Sequence, residues 1–296
     1  MTSTHKDTVA SSRPTGDGSA VSAENEQIFE AFAKEPAYIH VNERLISRMI
    51  KHLGNVKSIN VLDVAAATGL MTTITDRMTR AAGIDFKSTL LDLDLPALHE
   101  AKKEVTADNA EYVFASASEL PIRGTFDAII FANSIHLLDA ESKVKALAEN
   151  RRVLRDGGVL VVNTTFYDGA YPEESKPFYS RWIRRSISEI NKRLPKREKG
   201  EKVQAMEFLP ADEYRSMITQ AGFKIVETRE RRVLLSQAAV RAISSYRDFA
   251  IGALHATEED ADEASKVLQA TVRQTFNDLK MKYLPRNWLE IVAIKA

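Results

Sequence analysis

Cysteine is absent from the 296 residues. That absence excludes disulfides, thiolate nucleophiles and cysteine-ligated zinc or iron–sulfur centres together, and leaves the redox compartment unreadable. Net charge is missing as well, because Lys plus Arg and Asp plus Glu each number 41. Without a positive field nothing holds a phosphate backbone nonspecifically, so nucleic acid is a disfavoured partner. No apolar run approaches the ~18 residues of a membrane span, and the N-terminus lacks the apolar stretch of a secretion signal. No membrane partner and a cytoplasmic location are therefore expected. No His and carboxylate spacing resembles a metal site, so no metal is expected.

What is present is a chain with 44% apolar residues, ample for a core. Residues 1–22 are the exception: rich in Ser, Thr, Gly and Asp, they bury too little to offset their ordering entropy and read as a disordered tail. Residues 23–58 read as an N-terminal helical segment. Within it Asn42 can cap a helix over 42–53 whose Leu45, Ile46, Met49, Ile50 and Leu53 share one face, with Gly54 suited to its end.

Residues 59–166 alternate between apolar strands and amphipathic helices. Strands are expected at 59–64, 88–94, 111–115, 126–132 and 159–162, and helices at 69–80, 96–106 behind Pro96, and from the cap Asp139 to Leu154. Continuously apolar strands separated by helices indicate a parallel sheet covered on both faces. Residues 167–208 break that rhythm with Tyr167, Tyr171, Phe178, Tyr179 and Trp182, prolines and a charged run near 196–202, and read as an insertion. Residues 209–296 resume the core with a helix near 211–221, a strand from Phe223 and a final strand 288–294, interrupted by a mostly helical insertion 236–280. Both insertions are candidates for a lid. A helix over 241–254 would present Tyr246, Phe249, Ile251 and Leu254 to an apolar substrate, or bury them against the domain or a homodimer partner. Phe29, Phe32 and Tyr38 are placed to close the cleft from the other side.

The most informative stretch is Ile59 to Gly69, a strand ending in Asp63 and turning through Ala65, Ala66, Ala67 and Thr68 into a helix. Such a turn suits backbone contact with a nucleoside-like ligand. The next strand ends in Asp92 and Asp94, about where a ribose-binding acid sits in dinucleotide-type folds. With Leu93-Asp94-Leu95-Pro96, Ala115-Ser116-Ala117-Ser118-Glu119-Leu120-Pro121, the Asp156-Gly157-Gly158 turn and Ala221-Gly222-Phe223 following in order, the chain resembles the class I S-adenosylmethionine-dependent methyltransferases, of the small-molecule type, over roughly 40–165, 207–230 and 284–295.

The resemblance implies a Rossmann-like, doubly wound α/β fold: a mostly parallel seven-stranded sheet with helices on both faces and helical lid insertions. It implies S-adenosyl-L-methionine as cofactor and methylation of a small, hydrophobic acceptor, at O in preference to N or C, as in secondary metabolism. Cofactor contacts would come from Asp63, Ala65 and Gly69 at the first turn, from Asp94 or Asp92 at the ribose diol, with Asp94 preferred, from Leu95, Ser116 and Ala117 around the adenine, and from Asn133. Ala65 and Ala67 replace the family's glycines, and alanine is expected to hold its backbone at negative φ there. His136 is open to two roles, a general base toward the acceptor or a packed, hydrogen-bonding residue. The alternatives to methyl transfer are a cyclase-like or regulatory protein that binds the cofactor without transferring methyl, and a protein or RNA methyltransferase, which the charge balance disfavours.

Overall fold

The computed structural model describes residues 31–107, 109–200 and 207–296. The expected tail 1–22, Phe29 and part of the charged run lie outside the described residues. In chain order the elements are α1 (Pro36–Leu53), β1 (Ser58–Val64), α2 (Leu70–Ala81), β2 (Asp85–Asp92), α3 (Leu95–Glu104), β3 (Ala110–Phe114), β4 (Phe126–Ala132), α4 (Ala140–Val153), β5 (Leu154–Thr164), α5 (Lys176–Arg193), α6 (Ala211–Gln220), β6 (Phe223–Leu235), α7 (Gln237–Ser245), α8 (Arg247–Leu254), α9 (Ala261–Asp278) and β7 (Leu284–Lys295).

One seven-stranded sheet runs in the order β3-β2-β1-β4-β5-β7-β6. β7 lies antiparallel to both β5 and β6, while the other neighbouring strands pair in parallel. The sheet is mostly parallel, seven-stranded and Rossmann-like, as expected. The run of apolar residues in each central strand is explained by its two covered faces. In β1, Leu62 and Val64 join one buried cluster with α4 and α6, whereas Ile59 and Val61 join another with α1 and α2. Residues 129 and 131 of β4, and 160 and 162 of β5, share the first face; their alternates share the second.

Several boundaries differ from the sequence expectation, and three of the differences have a clear local reason. Helix α1 begins at Pro36, with Glu35 as its N-cap, so Asn42 is a buried interior residue rather than a cap. Pro fits there because its missing N–H has no intrahelical partner to lose. Strand β2 ends at Asp92 rather than at 94, because Asp94 turns back to cap α3 through the Ala97 N–H. The helix expected over 241–254 is two helices, broken at Tyr246, whose ψ of 121° is extended.

The inserted helices form a third layer with its own core of Phe178, Trp182, Val240, Phe249 and Leu268. Trp182 Nε1 donates to the Leu268 carbonyl at 3.1 Å and Ser186 bonds Thr271 at 2.7 Å, so α5 and α9 are joined by polar as well as apolar contacts. No helix among the described residues is long and apolar enough to cross a membrane.

Candidate active site

The chain order of the strands reverses between β1 and β4, and ligands of open α/β sheets bind in the crevice outside the carboxyl ends at such a switch point. A cavity of about 400 Å³ opens there. Its floor is the turn after β1 with the ends of β2 and β4; its roof comes from α5, α7 and α8 through Trp182, Val240 and Phe249. Phe32 and Tyr38, whose rings pack 4.7 Å apart, line it on the α1 side.

The turn after β1 departs from expectation. Ala65 and Ala67 adopt φ of 54° and 46°, the left-handed conformation that glycine takes freely. Two bonds hold the turn in place: Asp92 Oδ2 accepts the Ala67 N–H at 2.8 Å, and the Leu91 carbonyl accepts the Ala66 N–H at 3.0 Å. Gly69, at φ 81°, caps α2, and a Cβ there would lie 2.4 Å from Val105 Cγ2. Glycine is thus retained where packing as well as dihedral demands it. Left-handed alanine costs about 1–2 kcal/mol, and glycine's greater freedom when unfolded returns about 0.5–1 kcal/mol of that. Ala65→Gly and Ala67→Gly should therefore each raise stability by about 0.5–1 kcal/mol. Urea denaturation checks this, and a loss of stability in both would contradict the strain.

The predicted site residues divide into two groups. Ala65, Asp92, Asp94, Asn133 and His136 line the cavity together. Asp63, Gly69, Leu95, Ser116 and Ala117 do not. Asp63 is buried behind the turn, where its Oδ2 accepts from the Thr72 N–H at 3.1 Å and the Thr72 hydroxyl at 2.8 Å. Leu95 is 44% exposed, because it begins α3 on the outer side of the Asp94 cap. Ser116 closes a small turn by accepting the Ser118 N–H, and Ala117 is buried in the core beneath it.

Asp92 and Asp94 have different surroundings. Asp92 uses both oxygens on backbone, Oδ2 for Ala67 and Oδ1 for the Asp94 N–H at 2.9 Å, and burial raises its pKa. Asp94 Oδ1 accepts the Ala97 N–H at 3.3 Å, and its Oδ2 has no partner among the described residues.

Burial also pushes the Asp63 carboxyl up to about 7, against the pull of its two Thr72 bonds and with the help of Asp92. The folded protein thus binds a proton there that the unfolded chain releases near 3.8. The stability this proton confers is complete below that value and is lost as pH rises through about 7. Between pH 5 and 8 the wild-type melting temperature should fall more steeply than that of Asp63→Asn; parallel curves would contradict the assignment.

On the β4 side, Asn133 takes φ 54° and its N–H donates to both the carbonyl and the Oδ1 of Asn163. Asn42 Oδ1 accepts from the side chains of Asn133 at 3.2 Å and Asn163 at 3.0 Å, and Trp288 Nε1 donates to Asn133 Oδ1 at 2.9 Å. The bridging roles of Asn42, Asn163 and Trp288 are absent from the sequence expectation, since α1 and β7 meet β4 only in the fold. Ser134, which lines the same wall, has a buried Oγ without a hydrogen-bond partner among the described residues. His136 stacks on Phe166 with ring centroids 4.0 Å apart and its Nδ1 lies 3.3 Å from Thr164 Oγ1.

The methyltransferase-domain family matches residues 61–158, the strands and turns that build this floor. The malonyl-[acyl-carrier protein] O-methyltransferase of Geobacter sulfurreducens is 29% identical over 196 residues, 64% of this chain and 66% of that protein. The ubiquinone/menaquinone biosynthesis C-methyltransferase UbiE of Brucella anthropi is 32% identical over 201 residues, 66% of this chain and 68% of that protein. The match thus spans about two thirds of the length of each relative. Among solved structures the [4+2]-cyclase SpnF superimposes with a TM-score of 0.55 at 15% identity, over 94% of this chain and 95% of its own; that likeness speaks for the fold alone. The chain belongs to the class I S-adenosylmethionine-dependent methyltransferases, and its cofactor is S-adenosylmethionine. The site fits that group: the turn presents left-handed backbone to the cavity, Asp94 keeps an unclaimed carboxylate oxygen beside it, and the orphaned Ser134 hydroxyl lies on the facing wall.

Proposed function

We propose that this methyltransferase acts on a small, predominantly apolar metabolite, with oxygen the favoured acceptor atom over nitrogen or carbon. The observation that carries the reading is the roofed cavity, whose exposed wall is largely aliphatic and aromatic. In this reading Asp94 receives the ribose diol through its unclaimed oxygen, Asp92 holds the turn, and Ala65 to Ala67 contact the nucleoside through backbone. When bound, S-adenosylmethionine supplies an electrophilic methyl group on its sulfonium. The chain's own task is then to align the acceptor and exclude water, which Trp182, Phe249 and Phe166 do by closing the space above the sheet.

His136 acts here by contact rather than by proton removal. Burial pushes its imidazole down to about 3, and the Lys143 and Arg286 charges push the same way. A base so far below neutral pH has little drive to take a proton, where a matched one contributes about 10²–10⁴-fold. His136→Asn should therefore retain turnover within about tenfold, with no step near pH 6.5 lost from the rate profile. A thousandfold loss together with the disappearance of such a step would restore the base.

The alternative in which the fold binds cofactor without transferring methyl gains nothing from the missing glycines, because Ala65 and Ala67 hold the glycine conformation. Incubation with methyl-labelled S-adenosylmethionine and a panel of phenols and apolar carboxylic acids tests the proposal. Label in an extractable small product supports it; label confined to protein or RNA, or none despite cofactor binding, overturns it.

A further inference from the structure

Arg286, on β7, is only 5% exposed and lines the cavity. Its Nε donates to Thr165 Oγ1 at 2.7 Å, one terminal nitrogen to the Thr165 carbonyl at 2.9 Å, and the other to the Tyr179 hydroxyl at 3.1 Å. The rings of Phe166, Tyr171 and Tyr179 lie 5.5, 4.5 and 5.7 Å from the guanidinium carbon. Every one of these groups is neutral; burial pushes even the Tyr179 phenol up to about 12. Among the described residues no carboxylate pairs with Arg286, whereas the half-buried Arg48 and Arg231 share Glu290.

The cavity is therefore electrically divided. Its acids, Asp92, Asp94 and Asp248, gather at the β2 end around Tyr246, whose phenol they all influence. Arg286 stands at the β7 end, four strand spacings from β2 and hence about 19 Å across the sheet. A guanidinium stripped of water and left without a counter-ion is costly, and ring faces offset the cost only in part. In such surroundings an incoming anion is strongly attracted.

We propose that Arg286 is the counter-ion of the acceptor, and that the molecule methylated carries a carboxylate on an apolar, ring-sized body. The fork of the guanidinium matches a carboxylate in shape as well as charge. The aromatic wall formed by Phe166 and Tyr179 receives the body, and the His136 ring, stacked on Phe166, faces the same space. The inference rests on the small-molecule methyltransferase reading above and adds the class of acceptor.

Calorimetry on the full chain tests it, with 1-naphthoate and its neutral isostere 1-naphthamide as probes, in the absence and in the presence of S-adenosylhomocysteine. Naphthoate should bind at least tenfold more tightly than naphthamide. Arg286→Met should abolish that preference and leave S-adenosylhomocysteine affinity within about threefold, while Arg286→Lys, keeping charge without the fork, should retain part of it. Equal binding of the two probes to wild type, or no binding of naphthoate, overturns the proposal without recourse to any variant. A loss of S-adenosylhomocysteine affinity in Arg286→Met as large as the loss for naphthoate also overturns it, by assigning Arg286 to the cofactor. Failure of wild type to bind S-adenosylhomocysteine would instead strike the cofactor reading, which the naphthoate preference does not need.

Discussion

Asp94→Ala is expected to weaken S-adenosylhomocysteine binding by about 100-fold, or about 2.7 kcal/mol, because a hydrogen bond to a charged group contributes about 1.5–3 kcal/mol net and the carboxylate accepts the ribose diol. The same substitution removes the N-cap of α3 and should lower stability by about 1 kcal/mol. Asp94→Asn separates the two effects. Asparagine caps a helix as well as aspartate, so stability should return, while a neutral amide accepts the diol more weakly and affinity should not. If Asp94→Asn binds S-adenosylhomocysteine like wild type, the diol is held elsewhere and Asp92 becomes the candidate.

Trp288→Ala carries the largest expected cost to stability. The indole is 1% exposed, packs in the cluster beneath the inserted helices and donates to Asn133 Oδ1. Truncating a buried Trp costs about 3–5 kcal/mol, a large part of the 5–15 kcal/mol that holds an ordinary domain. The consequence reaches the site, since Asn133 sits at φ 54° and is kept there by Trp288, Asn163 and Asn42 together. Trp288→Phe, which keeps most of the ring volume and gives up the donor, should cost about 1–2 kcal/mol. Urea midpoints at constant slope measure both; an alanine variant within 1 kcal/mol of wild type would contradict this account of the wall.

How much of this was legible in the sequence depended on distance along the chain. The apolar strands, the turn from Asp63 to Gly69 and the acids Asp92 and Asp94 are readable because each is a local pattern of residue types at a strand or its end. Asn42 is a buried bridge rather than the expected cap, because the two roles look alike in sequence until the start of the helix is known, and Pro36 is the signal that marks it. The φ of Ala65 and Ala67 went against their identity, since bonds from Asp92 and Leu91 on the next strand override the local preference. Arg286 and Trp288 carry no local signal at all. They reach the cavity because β7 returns antiparallel beside β5, pairing Leu289 with Thr164 and Glu290 with Asn163. Residues more than a hundred positions apart become neighbours through sheet order alone.

A crystal structure of the complex with S-adenosylhomocysteine tests the central claim most directly. The ribose hydroxyls should lie within hydrogen-bond distance of Asp94, the nucleoside against the Ala65 to Ala67 backbone, and the sulfur should face the aromatic space before Arg286. A ligand seated away from these carboxylates, or with its sulfur turned to bulk solvent, would contradict it.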